Sequence, residues 1–202
     1  MLVLAADTSL PILSVALIRR VDNDGALIGA VALEGRGSRN EKLLPAIDWL
    51  LSENAIDRRA IDLFAVTRGP GSFTGVRIGL ATMQGMALAL GRPVCAMSTH
   101  EAVAFGEEGR IAVVDDAGRG ESYVSHFDDG VETLAPHLGI VPGDRRVIRL
   151  ADLMQRDNVA LRCARRAIDL EQRGEGERYR DVTPIYVRLA EAEVQLRQKQ
   201  NG

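Results

Sequence analysis

A two-lobed α/β fold, with a full first lobe and a reduced second one, is predicted by three features of the 202-residue sequence. Residues 2–33 hold three short apolar runs separated by turn residues. From Asn40 the apolar residues change from strand to helix spacing, and strand and helix patterns then alternate to residue 105. A second set of strand patterns opens after Gly106, with less chain left to complete it.

Composition narrows the classes. The chain is 46% hydrophobic and 26% charged, enough apolar material for a core, and this excludes a disordered or fibrous protein. It has 25 basic and 28 acidic residues, so no cationic surplus favours binding nucleic acid unaided. Cys95 and Cys163 are the only cysteines, too few for a disulfide framework or a Cys-rich zinc site, which fits a reducing compartment. Met1–Ala6 lacks a basic leader and is interrupted by Asp7; Ile78–Leu90 falls short of the roughly 20 residues of a membrane span. A soluble, cytoplasmic protein without a membrane partner is therefore expected.

Leu2 to Ala6 reads as a strand ended by Asp7-Thr8-Ser9, Ile12 to Ile18 as a second strand, and Ala26 to Leu33, after the turn Asp22 to Gly25, as a third. In Asn40 to Glu53 the residues Leu43, Leu44, Ile47, Leu50 and Leu51 make one helical stripe, with Pro45 early enough to be tolerated. Leu63 to Thr67 reads as a strand, Thr74 to Leu90 as a helix, Val94 to Met97 as a strand and Thr99 to Phe105 as a short helix. The order βββαβαβα implies a mixed sheet, antiparallel at one side and parallel at the other, covered by helices. With an Asp-Thr-Ser turn after its first strand, that order is the half-unit of actin-like ATPase and ribonuclease-H-like folds. The boundaries read as 1–105 for the first lobe and 106–202 for the second. In the second, Ile111 to Val114 and Tyr123 to Phe127 flank the turn Asp115 to Gly120, Val159 to Leu170 reads as a helix, Arg173 to Arg180 as a polar loop, and the end from Glu191 as a solvated tail.

The most informative segment runs from Arg68 to Gly79, between a strand and a helix, where backbone amides and the positive helix end favour anions. It is neither GxxxxGK[ST] nor a complete dinucleotide fingerprint, and no acidic residue occurs from Leu63 to His100 to hold a ribose, so NAD binding is rejected. Arg68, Arg77 and Arg92 make the window cationic and suit it to phosphate or an acidic partner surface. In the helix, Gly75 and Gly79 form one row of small residues and Ala81, Gly85 and Ala89 another. Each interior glycine costs roughly 1 kcal/mol against alanine, a cost usually met by close approach of another backbone. One row could meet the sheet and the other a partner helix, or both could pack internally.

Candidate catalytic groups are sparse. Asp7 reads either as an Asx turn or as a carboxylate holding a metal-bound nucleotide through water, and Asp115 and Asp116 stand at the matching place in the second lobe. His100, His126 and His137 have no metal-binding helical spacing, no GxSxG frames Ser72 or Ser98, which read as turn or cap residues, and Cys95 reads as an inert core thiol. No catalytic residue and no metal ligand is assigned.

The phrase Gly69-Pro70-Gly71-Ser72-Phe73-Thr74-Gly75-Val76-Arg77-Ile78-Gly79, together with Asp7-Thr8, closely resembles the bacterial TsaB (YeaZ) family. Lys42 to Pro45, Ser98-Thr99, Asp115-Ala117-Glu121-Tyr123 and Pro184 to Arg188 extend the likeness along the chain. The resemblance implies an actin-like (ASKHA) fold and a role in forming threonylcarbamoyladenosine in tRNA. There the protein is the non-catalytic partner of the TsaD transferase and works with the ATPase TsaE. It also implies docking through the first two helices and a homodimer when TsaD is missing, tRNA being met only through the complex. On this basis Leu43, Leu44, Ile47, Arg68, Gly69, Gly71, Ser72, Phe73, Thr74, Gly75, Val76, Arg77, Gly79 and Met83 are the expected partner-binding residues. Asp7, Thr8 and Asp115 are the expected place for a nucleotide, if one binds; no intrinsic cofactor is expected, and ATP or ADP with magnesium belongs to the complex. TsaD itself, the alternative, has an HxxxH pair that this sequence lacks. A histidine that some relatives carry near Asn40–Glu41 is also absent. An independent glycoprotease-like hydrolase would need a nucleophile with a base, and a nucleotide-binding regulator would use the cleft around Asp7 and Asp115.

Overall fold

The computed structural model describes residues 1–21, 24–34 and 39–187. The tail from Glu191, residues 22 and 23 of the first turn and the side chain of Asn40 lie outside the described residues. The first sheet contains β1 (Leu2–Asp7), β2 (Leu13–Val21), β3 (Asp24–Leu33), β4 (Leu63–Thr67) and β5 (Val94–Met97), in the spatial order β3-β2-β1-β4-β5. The β1, β2 and β3 pairings are antiparallel, whereas β1–β4 and β4–β5 are parallel, so the sheet is mixed in the expected sense. Its helices are α1 (Arg39–Glu53), α2 (Phe73–Leu90) and α3 (Thr99–Ala104).

Period-two alternation sorts the strands into two cores. Leu2, Leu4, Ala6, Leu13, Val15, Leu17, Phe64 and Val66 face α1 and α2, meeting Leu43, Ile47, Leu50, Val76, Leu80 and Met83. Val3, Ala5, Ala16, Ile18, Leu63, Ala65 and Cys95 face the other way. Every residue of β1 is buried, as covering on both sides requires.

That opposite face is covered by α5 (Val159–Gln172), which comes from the far half of the chain and lays Ala160, Cys163, Ala164, Ala167 and Ile168 on the first sheet. Asn158 caps α5 by accepting from the amide of Leu161 at 2.9 Å, while its own amide nitrogen donates to the Val31 carbonyl at 3.1 Å. Ser14 Oγ on β2 accepts from the Ala160 amide at 3.1 Å, so the helix start is bonded directly to the sheet.

The second sheet is smaller. It holds β6 (Arg110–Gly118), β7 (Glu121–Asp128), β8 (Val131–Gly139) and β9 (Arg146–Arg149) in the order β8-β7-β6-β9. β6, β7 and β8 are antiparallel neighbours and β9 runs parallel to β6, repeating the first four strands of lobe one without a fifth. This is the reduced second half of an actin-like plan. β6 and β7 run through what reads as the turn Asp115 to Gly120, and β8 and β9 lie between Phe127 and Val159, where the sequence reading assigns no element. At the outer edge β8 has irregular register around Ala135 and Pro136, which blunts it against further pairing. A short helix α4 (Leu150–Leu153) follows β9, and a 3-10 turn at Gly176–Tyr179 lies within the stretch read as a polar loop. Among the described residues no helix is long and apolar enough to cross a membrane.

Candidate functional site

The end of β1 and the start of α2 form one packed unit. Asp7, Thr8 and Ser9 are fully or almost fully buried. One carboxylate oxygen of Asp7 accepts from Ser9 Oγ (2.5 Å), the Ser9 amide (3.2 Å) and Thr67 Oγ1 (2.5 Å), and Ser9 Oγ also meets Thr99 Oγ1 at 2.9 Å. The other oxygen of Asp7 has no partner among the described residues, and burial pushes the carboxyl above its ordinary range. Thr8 Oγ1 donates to the Gly75 carbonyl at 2.6 Å, and the Ser72 amide donates to the Ser9 carbonyl at 2.7 Å. The glycine phrase thus closes over the Asp-Thr-Ser turn, with the Ser72 amide and the Gly75 carbonyl both engaged by that turn.

Its cations are also spoken for. Arg77 lies 3.8 Å above the Phe73 ring and donates through Nε to Tyr186 Oη at 2.7 Å, while Tyr186 stacks on Phe73 with centroids 4.8 Å apart. Arg68 donates through Nη1 to Asp181 (3.3 Å) and to the Thr183 carbonyl (3.2 Å), and Arg92 pairs loosely with Asp62 at 3.8 Å. The Ile185 amide donates to the Arg68 carbonyl at 2.7 Å. Residues 181–186 therefore run along the loop toward the first turn of α2. The sequence offered the Pro184 to Val187 phrase but not its place, because nothing local pairs residues more than a hundred positions apart.

The expected docking residues divide by exposure. Leu43, Ile47, Gly75, Val76, Gly79 and Met83 are buried within the chain, so their side of each helix faces the sheet. Leu44, Thr74 and Arg77 are exposed, with Gly69 buried and Gly71, Ser72 and Phe73 partly covered in the loop. The two rows of small residues separate in the same way. Gly75 and Gly79 pack on Thr8, whereas Ala81, Gly85 and Ala89 face outward beside Leu88, which is 82% exposed. A Cβ placed at Gly85 would meet nothing within 4 Å. On α1, Trp49 is 55% exposed, a position that sequence reasoning passed over because it lies off the apolar stripe.

Ser72 and Ser98 are helix caps, accepting from the amides of Gly75 (3.2 Å) and Glu101 (2.8 Å). A serine–histidine pair that the sequence did not suggest forms between His100 Nδ1 and Ser125 Oγ at 2.7 Å, joining α3 to β7. Both residues are fully buried, and burial holds the imidazole down at about 3, neutral at any working pH. No substrate reaches this serine. Cys95 is likewise buried and its thiol is pushed up to about 12 by burial, as an inert core thiol should be. Among the described residues no group of three or more His, Cys, Asp or Glu side chains could hold a metal.

Asp115 stands on β6, across from Asp7. Burial raises its carboxyl from 3.8 to about 6, with the charges of Asp116 and Asp7 adding to the rise. An acid raised in the folded state stabilises most below its unfolded value and loses that contribution as pH rises through the folded value. Stability is expected to fall between pH 4 and pH 7 by on the order of 2 kcal/mol from this group. Urea titrations across that range should show the slope and Asp115→Asn should reduce it; an unchanged slope would place the linkage elsewhere.

An actin-like protein with a truncated second lobe, a sealed first-strand aspartate and an open helix face is the class that these features define. The family model described as TsaD, tRNA N6-adenosine threonylcarbamoyltransferase, matches residues 37–174, and the chain belongs to that family. It is similar to an uncharacterized protein of Mycobacterium tuberculosis, 33% identical over 134 residues, 66% of this chain and 63% of that protein. It is also similar to the tRNA threonylcarbamoyladenosine biosynthesis protein TsaB of Escherichia coli, 36% identical over 132 residues, 63% and 55% of the two chains. A solved Pseudomonas aeruginosa protein described as similar to peptidase YeaZ matches with TM-score 0.71 and 29% identity, covering 93% of this chain and 99% of that one. The matches thus span about three fifths of the curated relatives' length, while the structural likeness covers nearly all of both chains. The resemblance to TsaB (YeaZ) drawn from the glycine phrase holds.

Proposed function

We propose that the chain acts in forming threonylcarbamoyladenosine in tRNA as a non-catalytic subunit that binds and activates a TsaD-type transferase, with a TsaE-type ATPase in the same assembly. The observation that carries this reading is the outward face of α2. Ala81, Gly85 and Leu88 form an uncharged surface with open space above Gly85, the geometry that lets a second helix approach closely. The sealed His100–Ser125 pair and the buried Asp7 supply no open chemistry beside it, and the names of the curated TsaB relatives support the pathway. Any nucleotide is then held by the complex, tRNA is reached only through it, and the protein alone pairs with a second copy through the same face in the cytoplasm.

Light scattering on a sizing column, with the chain alone and mixed with its organism's TsaD-type protein, tests the reading. A one-to-one complex that replaces the homodimer is expected. Leu88→Glu should weaken that complex at least tenfold, about 1.4 kcal/mol, with an unchanged unfolding midpoint. No complex, with or without ATP and magnesium, would refute the subunit role.

A further inference from the structure

From the register of the second sheet we infer that His126 and His137 form a site for a divalent transition metal of the zinc type. Ala112 pairs with His126, Val114 with Val124, and Val124 with His137, so both imidazoles stand on the face that carries Val114 and Val124. The opposite face, with Ile111, Val113 and Phe127, is covered by Val103, Leu150 and Val159 of α3, α4 and α5. Helical spacing misses the pair because it forms across two strands. The ring centroids lie 6.3 Å apart at an interplanar angle of 79°. A metal held at about 2.0–2.1 Å from each imidazole nitrogen sets the ring centres roughly 5 to 6.5 Å apart, depending on the angle at the ion, and the pair falls within that span. Both residues are half-buried, so solvent reaches the rings.

The irregular register fixes one ligand. Against the step from Val124 to His126, β8 carries an extra residue, and Ala135 in that stretch has no partner in the register. Its carbonyl takes a hydrogen bond from His137 Nδ1 at 3.1 Å. A carbonyl only accepts, so the proton sits on Nδ1 and the lone pair on Nε2, the arrangement by which metal-binding imidazoles are oriented. Nε2 is left uncovered by Gly139, where a Cβ would come within 2.8 Å of it. The His126 ring has no hydrogen-bond partner among the described residues and is free to turn toward the ion. Arg145, a cation close to His126, is mostly buried and neutralised by Asp128 at 2.5 Å. Two imidazoles select zinc, nickel or copper over magnesium, and the remaining positions of the ion go to water. Once bound, the ion ties β7 to the edge strand β8 where their ladder is broken. Neither residue belongs to α1 or α2, so the site does not depend on the proposed docking role.

Titration calorimetry with zinc chloride, on the full chain freed of any affinity tag, tests the site. The only other histidine, His100, and both cysteines are buried, so few ligands of this kind compete. One zinc per chain is expected, with no heat from magnesium. His126→Gln and His137→Gln should each weaken zinc binding at least tenfold, with the metal-free unfolding midpoint unchanged. Gly139→Ala keeps both ligands but displaces the His137 ring, and should weaken binding roughly 10- to 100-fold. Substoichiometric copper should broaden the amide signals of His126 and His137 before all others. No zinc binding, binding that both glutamine variants retain, one zinc per two chains, or broadening that begins elsewhere would overturn the inference.

Discussion

Gly79→Leu is expected to cost about 3–5 kcal/mol and to leave the first lobe at best marginally folded, because native domains have only about 5–15 kcal/mol to lose. A Cβ at this position would lie 2.3 Å from Thr8 Oγ1, a contact that no rotamer relieves. Thr8 cannot retreat, since it is fully buried and its hydroxyl is bonded to the Gly75 carbonyl at 2.6 Å. Gly71 is constrained in the same way: its φ of +149° disfavours a side chain and its Cβ would strike the Ser9 carbonyl at 2.4 Å. Gly85, six residues further along the same helix, has open space, so Gly85→Ala should stabilise by up to about 1 kcal/mol. Urea unfolding of the two variants side by side decides the matter; equal midpoints would mean that α2 does not sit on the Asp-Thr-Ser turn. Gly79 is therefore a poor position at which to test partner binding, and Gly85 and Leu88 are the positions to vary.

Arg166→Ala should also be damaging, by about 3 kcal/mol, because it leaves the mostly buried Glu101 carboxylate without its cation and with only the Tyr179 hydroxyl, while Asp169 keeps Arg173. The guanidinium is mostly buried and holds Glu101 (3.1 Å) and Asp169 (2.7 Å), while Tyr179 donates to the same Glu101 at 2.6 Å. The cluster ties α3, α5 and the 3-10 turn together. Since the cost comes from the abandoned carboxylate, the double variant Arg166→Met with Glu101→Met should recover a good part of the loss measured by denaturant. A double variant no more stable than Arg166→Ala would show that the cluster is held by shape instead of charge.

How much of this could be read from the sequence depended on burial. β1, β4 and β5 are covered on both faces, so Leu2 to Ala6, Leu63 to Thr67 and Val94 to Met97 appear as unbroken apolar runs with clear ends. β8 is an edge strand whose first five residues are all exposed, and Glu132, Thr133 and Pro136 leave no alternation to find. β9 is four residues long with an arginine at each end. For the candidate site, the glycine phrase stood out because close backbone approach demands glycine, but the sequence could not say what approaches. It is the chain's own turn at Thr8 and Ser9, together with the segment around Tyr186. The apolar stripes of α1 and α2 told which residues are sticky, whereas the open surface is set by what the core leaves over, and that depends on packing between distant residues.

The placement of α5 bears on how the protein is made. One face of the first sheet, with Val3, Ala5, Ala16, Ile18, Leu63 and Ala65, is closed mainly by a helix that begins at Val159. During synthesis at about 5–20 residues per second, all five strands of that sheet leave the ribosome seconds before their cover. Until then the nascent chain carries a bare apolar surface, the kind of target that chaperones hold. The lobe encoded first is thus the one completed last.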